Sequence, residues 1–305
     1  MCGSDLGIYH SSIRIPIRPP VVMGHEFSGI VMEKGYRVRE DISVGDRVTA
    51  EPSYSICGTC KYCRSEHYNL CSQRRILGYT ADGCFARFCD ATFVHRVPDN
   101  ISFEAASITE LVACCVHCVI EQTGVSAGDF VVVTGPGPLG MLAAMVAQAE
   151  GGVVTMCGTS VDENRLQIAR DLGIFKTVNV EEGDAAAEIK GLTEGYGADV
   201  VLECSGSQSA ARLGLEVVRK RGKYTQMGLF GKRVSIDFEK IAFKEIEVRG
   251  GVSHRRPSWK RALGLMERGS VDTEPLITHT LPLAKWKTAF DMLEKKECLK
   301  AVLVP

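Results

Sequence analysis

Four cysteines crowd into residues 57–71 of this 305-residue chain: Cys57, Cys60, Cys63 and Cys71, spaced C-x2-C-x2-C-x7-C. Two residues between ligands let one turn of chain place both thiolates on one face of a tetrahedral ion, and zinc takes four such ligands at about 2.3 Å in a closed structural site. Such a site supplies roughly 10–16 kcal/mol of apparent binding energy, comparable with the ~5–15 kcal/mol stability of a whole domain. Residues 53–75 show little apolar periodicity, so they form a loop lobe and no core element. Four free loop thiols would be the bland alternative, but Gly58, Lys61 and Arg64 mark an exposed lobe unsuited to inert buried cysteine. An iron–sulfur cluster uses four thiolates too. So does a zinc-ribbon nucleic-acid module, which requires a basic surround. Lys61, Arg64, Arg74 and Arg75 are present, but the chain as a whole is neutral, with 36 Lys+Arg against 37 Asp+Glu. That balance argues against general nucleic-acid or anionic-membrane binding.

At 45% hydrophobic and 24% charged residues the composition is that of an ordinary globular protein, and the length suggests two domains. The most apolar long run, Leu111–Ile120, is preceded by Glu110 and interrupted by His117, well short of the ~18–20 residues of a membrane span. No basic stretch followed by an apolar one marks a secretion signal. Thirteen cysteines, an odd number, then read as thiols and metal ligands in a reducing compartment, and a cytoplasmic protein is expected.

The texture changes along the chain. Residues 1–100 carry short β-like runs broken by Gly and Pro, with strands predicted at Phe27–Glu33 and Asp46–Ala50 and a polar turn-like stretch, Lys34–Gly45, between them. From about residue 110, strands and helices alternate. Strands are predicted at Phe130–Thr134, Val153–Cys157, Thr177–Val180, Val200–Glu203, Lys223–Met227 and Ile246–Val248, and helices at Met141–Glu150 and Glu163–Leu172. Near-continuous apolar strands separated by helices imply an α/β fold with a doubly wound parallel sheet covered on both faces. A helix at Ser258–Arg268 and a strand at Lys300–Val304 change texture again and suggest a return to the first domain.

Gly135-x-Gly137-x-x-Gly140 follows the first of those strands and opens a helix. In that context the first glycine makes the tight turn, the second lets a pyrophosphate approach, with Leu139 beside it, and the third lets helix and strand pack. Free N–H groups at the helix start then face the phosphate. An acidic residue is expected about twenty residues on, at the end of the second strand, to hold a ribose. Cys157, Gly158 and Thr159 stand there instead. Ser160-Val161-Asp162-Glu163 has capping-box form, so Ser160 is expected to cap the next helix, with Asp162 and Glu163 in its first turn. A strand end without a carboxylate leaves room for a 2′-phosphate and points to NADP over NAD, with Arg165 as a partner.

Three further segments carry donors suited to a second metal: Cys2 in Cys-Gly-Ser-Asp, His25 and Glu26 in Gly-His-Glu, and Glu110 in Thr-Glu-Leu. Each has an ordinary reading alone. A His beside a Glu is a common hydrogen-bonding pair, and a Glu opening an apolar helix is favoured by the dipole.

Together, CGSD, GHEFSGIV, VGDRV, CGTCKYCRSEHYNLC, VVVTGPGPLG, VVLECSG and the closing LKAVLVP resemble, in order and over nearly the whole chain, the zinc-dependent medium-chain alcohol dehydrogenases. The GHE and TEL variants are most similar to the branch of polyol (sorbitol or iditol) and threonine dehydrogenases. The resemblance implies a GroES-like β-rich catalytic domain over 1–110 with the lobe at 57–71, a Rossmann NAD(P)-binding domain over 111–247, and a 248–305 segment returning to the catalytic domain. It implies a homodimer or homotetramer acting on a small-molecule alcohol, with no nucleic-acid or membrane partner. Matched by motif, Cys2, His25 and Glu26 are catalytic zinc ligands, and Glu110 is a further ligand or the partner of the metal's water. Ser4 passes on the substrate proton, the four lobe cysteines hold a structural zinc, and Gly135, Gly137 and Gly140 form the pyrophosphate loop.

Two positions depart from the family pattern. Gly7 stands where a histidine near the proton path is common, with His10 close by but displaced. The family also has a few tens of residues before CGSD, whereas here only Met1 precedes it, so the chain reads as lacking an N-terminal segment. That leaves the expectation of unpaired sheet edges and of a Cys2 hanging on a poorly ordered terminus.

The reaction this resemblance implies is hydride transfer between a secondary alcohol carbon and the nicotinamide ring. A free hydroxyl has a pKa near ~15.7, and zinc lowers that of bound water to ~7. The shift corresponds to about 12 kcal/mol, which explains the use of a metal. The alternatives are an L-threonine 3-dehydrogenase-like amino-alcohol dehydrogenase, and an inactive fragment that binds zinc and nucleotide.

Overall fold

The computed structural model describes residues 1–12, 15–36 and 38–305, which divide into two compact units, Met1–Ala113 with Ser253–Pro305, and Cys114–Val252. Of the turn-like stretch Lys34–Gly45, Arg37 lies outside the described residues.

The first segment is β-rich and short in its elements. After a helix at Gly3–Tyr9 come β1 (Ser28–Ile30), β2 (Arg47–Ala50), β3 (Ser53–Ser55), β4 (Arg75–Ile76) and β5 (Val94–Arg96). β1 and β5 pair antiparallel on either side of β2, and β3 pairs antiparallel with β4. The two predicted strands, Phe27–Glu33 and Asp46–Ala50, are shorter in the structure, as β1 and β2.

The second unit is a six-stranded sheet in the order β11-β10-β9-β6-β7-β8, every pair parallel. Its strands are β6 (Phe130–Thr134), β7 (Val153–Gly158), β8 (Lys176–Asn179), β9 (Ala198–Glu203), β10 (Val218–Gln226) and β11 (Glu247–Gly250). β6 is buried at four of its five positions, the pattern of a central strand covered on both faces. Val132, Cys157, Val178, Val201, Leu215 and Tyr224 form one continuous core with it. Helices Pro138–Ala149 and Glu163–Asp171 connect consecutive parallel strands. The strand order reverses beside β6, the crevice position at which open α/β sheets bind ligands.

The last segment returns to the first unit. It comprises a helix at Arg256–Glu267, β12 (Ile277–Pro282), a helix at Trp286–Glu294 and β13 (Lys300–Val304), with β12 and β13 parallel. Here the expectation of a loosely held start is corrected. The Met1 side chain is buried in a cluster with Phe290, Cys298 and Ala301, and its ammonium donates to Ala301 O at 2.9 Å. Lys300 Nζ donates to Met1 O at 2.9 Å. Cys2 therefore follows a residue clamped on both sides.

Candidate active site

In the lobe, the sulfurs of Cys57, Cys60, Cys63 and Cys71 all lie within 4.8 Å of one another. Cys57 Sγ is 3.8 Å from Cys63 Sγ and 3.6 Å from Cys71 Sγ. Sulfurs at ~2.3 Å from a central zinc define a tetrahedron with edges of about 3.8 Å, so the spacing fits. Backbone N–H groups of Cys60 and Thr59 hold the Cys57 thiol down at about 6, while burial and the hydrogen bonds it donates to the neighbouring sulfurs push Cys63 up to about 12. Thiolates this close repel each other, and a divalent cation removes that conflict.

The second cluster is assembled from distant segments. Gly24, with φ +91°, turns the chain so that His25 and Glu26 point inward, and a Cβ there would sit 2.5 Å from the Phe85 ring. The ligand atoms of Cys2, His25 and Glu26 converge to within 4.8 Å of one another, with His25 and Glu26 both buried. Asp5, 1% exposed, faces two of them. Its Oδ2 accepts from the Cys2 N–H at 2.8 Å, and its Oδ1 lies 3.2 Å from His25 Nδ1. A carboxylate behind one imidazole nitrogen leaves the other for a metal. Ser4 Oγ lies 3.5 Å from that other nitrogen, Nε2.

The charges in this cluster compensate one another. Burial alone would lower the His25 pKa, but Tyr79, Asp5 and Cys2 outweigh it and raise it well above the ordinary histidine range. Burial opposes the charge on Glu26 as well, yet Lys300, the Met1 ammonium at 3.4 Å and His25 bring its carboxyl down to about 2. Glu26 Oε2 pairs with Lys300 Nζ, leaving Oε1 buried with no hydrogen-bond partner. A thiol, an imidazole and an orphaned carboxylate oxygen around one point suit zinc.

Glu110 stands outside that group of three. It lies in the helix Thr109–Val116, and its Oε1 is 3.5 Å from His254 Nε2. Burial opposes its ionisation, but His254 and His25 hold its carboxyl below the usual range.

In the second unit, Gly137 caps the helix Pro138–Ala149. A Cβ on Gly140 would lie 2.0 Å from Gly135 O, so the helix packs on the turn only because residue 140 has no side chain. A Cβ on Gly137 would meet nothing within 4 Å, so the mouth of the turn is open. Leu139 is in the first helical turn, and its C=O accepts from Cys115 Sγ at 3.5 Å. A cleft of about 450 Å³ opens at the strand ends, lined among others by Gly135, Gly158, Thr159, Asp162, Asp184 and Ser205.

The helix cap at Ser160 is corrected. Thr159 is the capping residue, its N–H and hydroxyl donating to Asp162 Oδ2 at 3.2 and 2.6 Å, because Ser160–Asp162 forms a 3-10 turn before the helix begins at Glu163. The Ser160 N–H donates to Glu181 Oε2 at 2.9 Å and its hydroxyl accepts from Asn179. Neither Ser160 nor Arg165 lines the cleft, whereas Asp162 does.

Three residues that motif reading passed over matter at these sites. Asp5 was visible in CGSD, three residues after a candidate ligand. Lys300 carried no local signal, because its partner lies 274 residues away. His254 sits in an Arg-rich loop that reads as solvated, yet it is fully buried.

The chain is similar to known proteins over its whole length. Residues 1–99 match the alcohol dehydrogenase GroES-like domain, and residues 138–268 match the zinc-binding dehydrogenase domain. The sorbitol dehydrogenase of Halalkalibacterium halodurans is 44% identical over 308 residues, covering 100% of this chain and 89% of the relative. The D-arabitol-phosphate dehydrogenase of Enterococcus avium is 36% identical over 99% of this chain and 86% of its own length. Among solved structures, a Sinorhizobium meliloti protein described as a zinc-binding dehydrogenase and bound to NADP superimposes with a TM-score of 0.91 at 28% identity, covering 100% of this chain and 89% of that one.

Proposed function

Because this chain belongs to the family of zinc-dependent medium-chain alcohol dehydrogenases, we propose that it oxidises a polyol, passing hydride from a secondary alcohol carbon to a nicotinamide nucleotide. The observation that carries this reading is the convergence of Cys2, His25 and Glu26 on one point, with Asp5 behind the imidazole, in a chain 44% identical to a sorbitol dehydrogenase. Two zinc ions per chain are proposed, one held by the lobe cysteines and one by the scattered cluster. Zinc bound there supplies a Lewis acid for a hydroxyl group. The protein's own part is to hold that position and to move a proton. Asp5 orients His25, and the Ser4 hydroxyl, 3.5 Å from His25 Nε2, carries the substrate proton outward. Glu110 supplies a buried negative charge beside the cluster. The Gly135–Gly140 turn takes the pyrophosphate on the helix N–H groups.

Of the two nucleotides, NAD fits better, against the expectation from the bare strand end. β7 itself ends without a carboxylate, but Asp162 folds back into the cleft and Asp184 joins it, with no Lys or Arg among the lining residues. A 2′-phosphate would add like charge there. The same reading places the chain in a reducing, cytoplasmic setting, where cysteines serve as thiols and metal ligands. Every residue of the edge strand β11 is exposed. Pairing of that edge with a second copy would protect it and supports a homodimer as the basic assembly.

The test is zinc per chain together with initial rates on sorbitol, other polyols, a polyol phosphate and L-threonine with both nucleotides. Two zincs, a polyol as best substrate and a higher kcat/KM with NAD are expected. A preference for L-threonine replaces the polyol reading, and one zinc with no turnover removes the catalytic cluster.

A further inference from the structure

His254 and Trp259 flank the start of the helix Arg256–Glu267, and both are fully buried. The indole Nε1–H of Trp259 donates to His254 Nδ1 at 2.7 Å. Indole nitrogen is a donor only, so His254 Nδ1 must be an acceptor. In the neutral ring the proton then sits on Nε2. That nitrogen has no hydrogen-bond partner, and it faces Glu110 Oε1 at 3.5 Å.

Trp259 is itself held firmly. Its ring stacks on His95 at 5.0 Å between centroids and 8° between planes. His95 Nε2 pairs with Glu51 Oε1 at 3.0 Å, and Glu51 Oε2 accepts from the Tyr68 hydroxyl at 2.6 Å. The indole can neither rotate nor slide without breaking this stack, so its N–H direction is fixed.

We propose that Trp259 locks His254 as the Nε2-protonated tautomer, and that His254 so locked is a positioning residue that holds the Glu110 carboxylate in its working place. This rests on the reading of Glu110 as part of the catalytic site. A ring free to choose its tautomer could present a lone pair to Glu110 and repel it. The lock ensures that only a donor faces the carboxylate.

Histidine-selective 15N NMR on the zinc-loaded enzyme reads the tautomer directly, with the His254 signal identified by its loss in His254→Gln. The wild type is expected to show Nε2 protonation, and Trp259→Phe, which keeps the stacked ring and removes the donor, is expected to show a tautomer mixture. Removal of such supporting contacts lowers activity by roughly 10–100-fold, and here the loss should fall on kcat with little change in KM. His254→Gln, which keeps a donor, should retain most of the turnover that His254→Leu loses. Nδ1 protonation in the wild type, an unchanged kcat in Trp259→Phe, or equal losses in the Gln and Leu variants would overturn the proposal. If Trp259→Phe does not fold, the Gln and Leu pair decides. Full activity in Glu110→Gln would instead sink the catalytic reading of Glu110, while the tautomer result would stand by itself.

Discussion

The lobe and the scattered cluster both gather metal-ligand side chains, but they are built in opposite ways. The lobe takes four thiols from residues 57–71, and backbone N–H groups at 3.4 Å set two of its sulfurs. The scattered cluster takes Cys2 from one end of a helix and His25 and Glu26 from an extended stretch, and pairs Glu26 with Lys300 from the last strand. The first is a local fold organised by its ligand. The second depends on a finished fold that brings donors and counter-charges together. On the two-zinc reading proposed above, the metal of the first site supplies stability, whereas in the second the fold has already supplied the order, leaving the metal for chemistry.

The largest effects should separate these two roles. Cys60→Ser should release the lobe metal and remove cooperative unfolding, because structural zinc contributes on the order of 10 kcal/mol against a domain stability of ~5–15 kcal/mol. His25→Asn, which leaves Asp5 a polar neighbour, should drop turnover below detection while zinc falls only from two to one and the thermal midpoint stays near wild type. Differential scanning calorimetry with metal analysis reads both. If the first variant keeps its melting temperature, or the second unfolds, the contrast between the sites fails.

Lys300→Met probes how much of the cluster's order comes from the fold. Lys300 is 1% exposed, and Glu26 is the buried carboxylate it neutralises. Breaking a buried pair from one side costs about 3–5 kcal/mol. Urea unfolding of the protein with its lobe zinc in place should show a loss of that size, and Glu26→Gln in the same chain should restore much of it. No loss would mean that the pair is not what holds the cluster in place.

These two constructions also explain what could be read in advance. The parallel sheet was legible because its strands are consecutive apolar runs, and Phe130–Thr134 appears where its sequence pattern puts it. The lobe and the glycine turn were legible because the spacing between their residues is itself the geometry. Lys300 was not, since no local pattern links position 300 to position 26. The cap at Thr159 was misplaced by one residue because a 3-10 turn precedes the helix, and a capping-box pattern does not distinguish the two registers. Cys2 was expected to hang on a poorly ordered terminus, but the burial of Met1 before it depends on β13, a strand near the far end of the chain.

Asp5→Asn sharpens the contrast at smaller cost. The variant keeps size and the hydrogen bond from the Cys2 N–H, but removes the negative charge behind His25. Loss of such a partner weakens metal affinity or activity by roughly 10–100-fold. Competition with a chelator should show the cluster releasing zinc earlier, with the lobe unaffected. Equal release from both sites would mean that Asp5 supports the fold generally and not His25 in particular.

The smallest effect tests where the two regions touch. Tyr68 lies inside the lobe between Cys63 and Cys71, yet its hydroxyl donates to Glu51, which anchors His95 beneath Trp259. Burial opposes ionisation of Glu51, and contacts with His95, His254 and Tyr68 prevail, holding its carboxyl below the usual range. A depressed carboxyl contributes stability that is present above its unfolded value and is lost as pH falls through the folded one. Tyr68→Phe removes one of the contacts, so the acid limb of unfolding should move to higher pH, with about 1–3 kcal/mol lost at neutral pH from the unsatisfied oxygen. Both zincs should remain bound, since the four thiols are untouched. An unshifted acid limb would show that the lobe carries no part of the carboxylate chain, and the two sites would then be independent in energy as well as in construction.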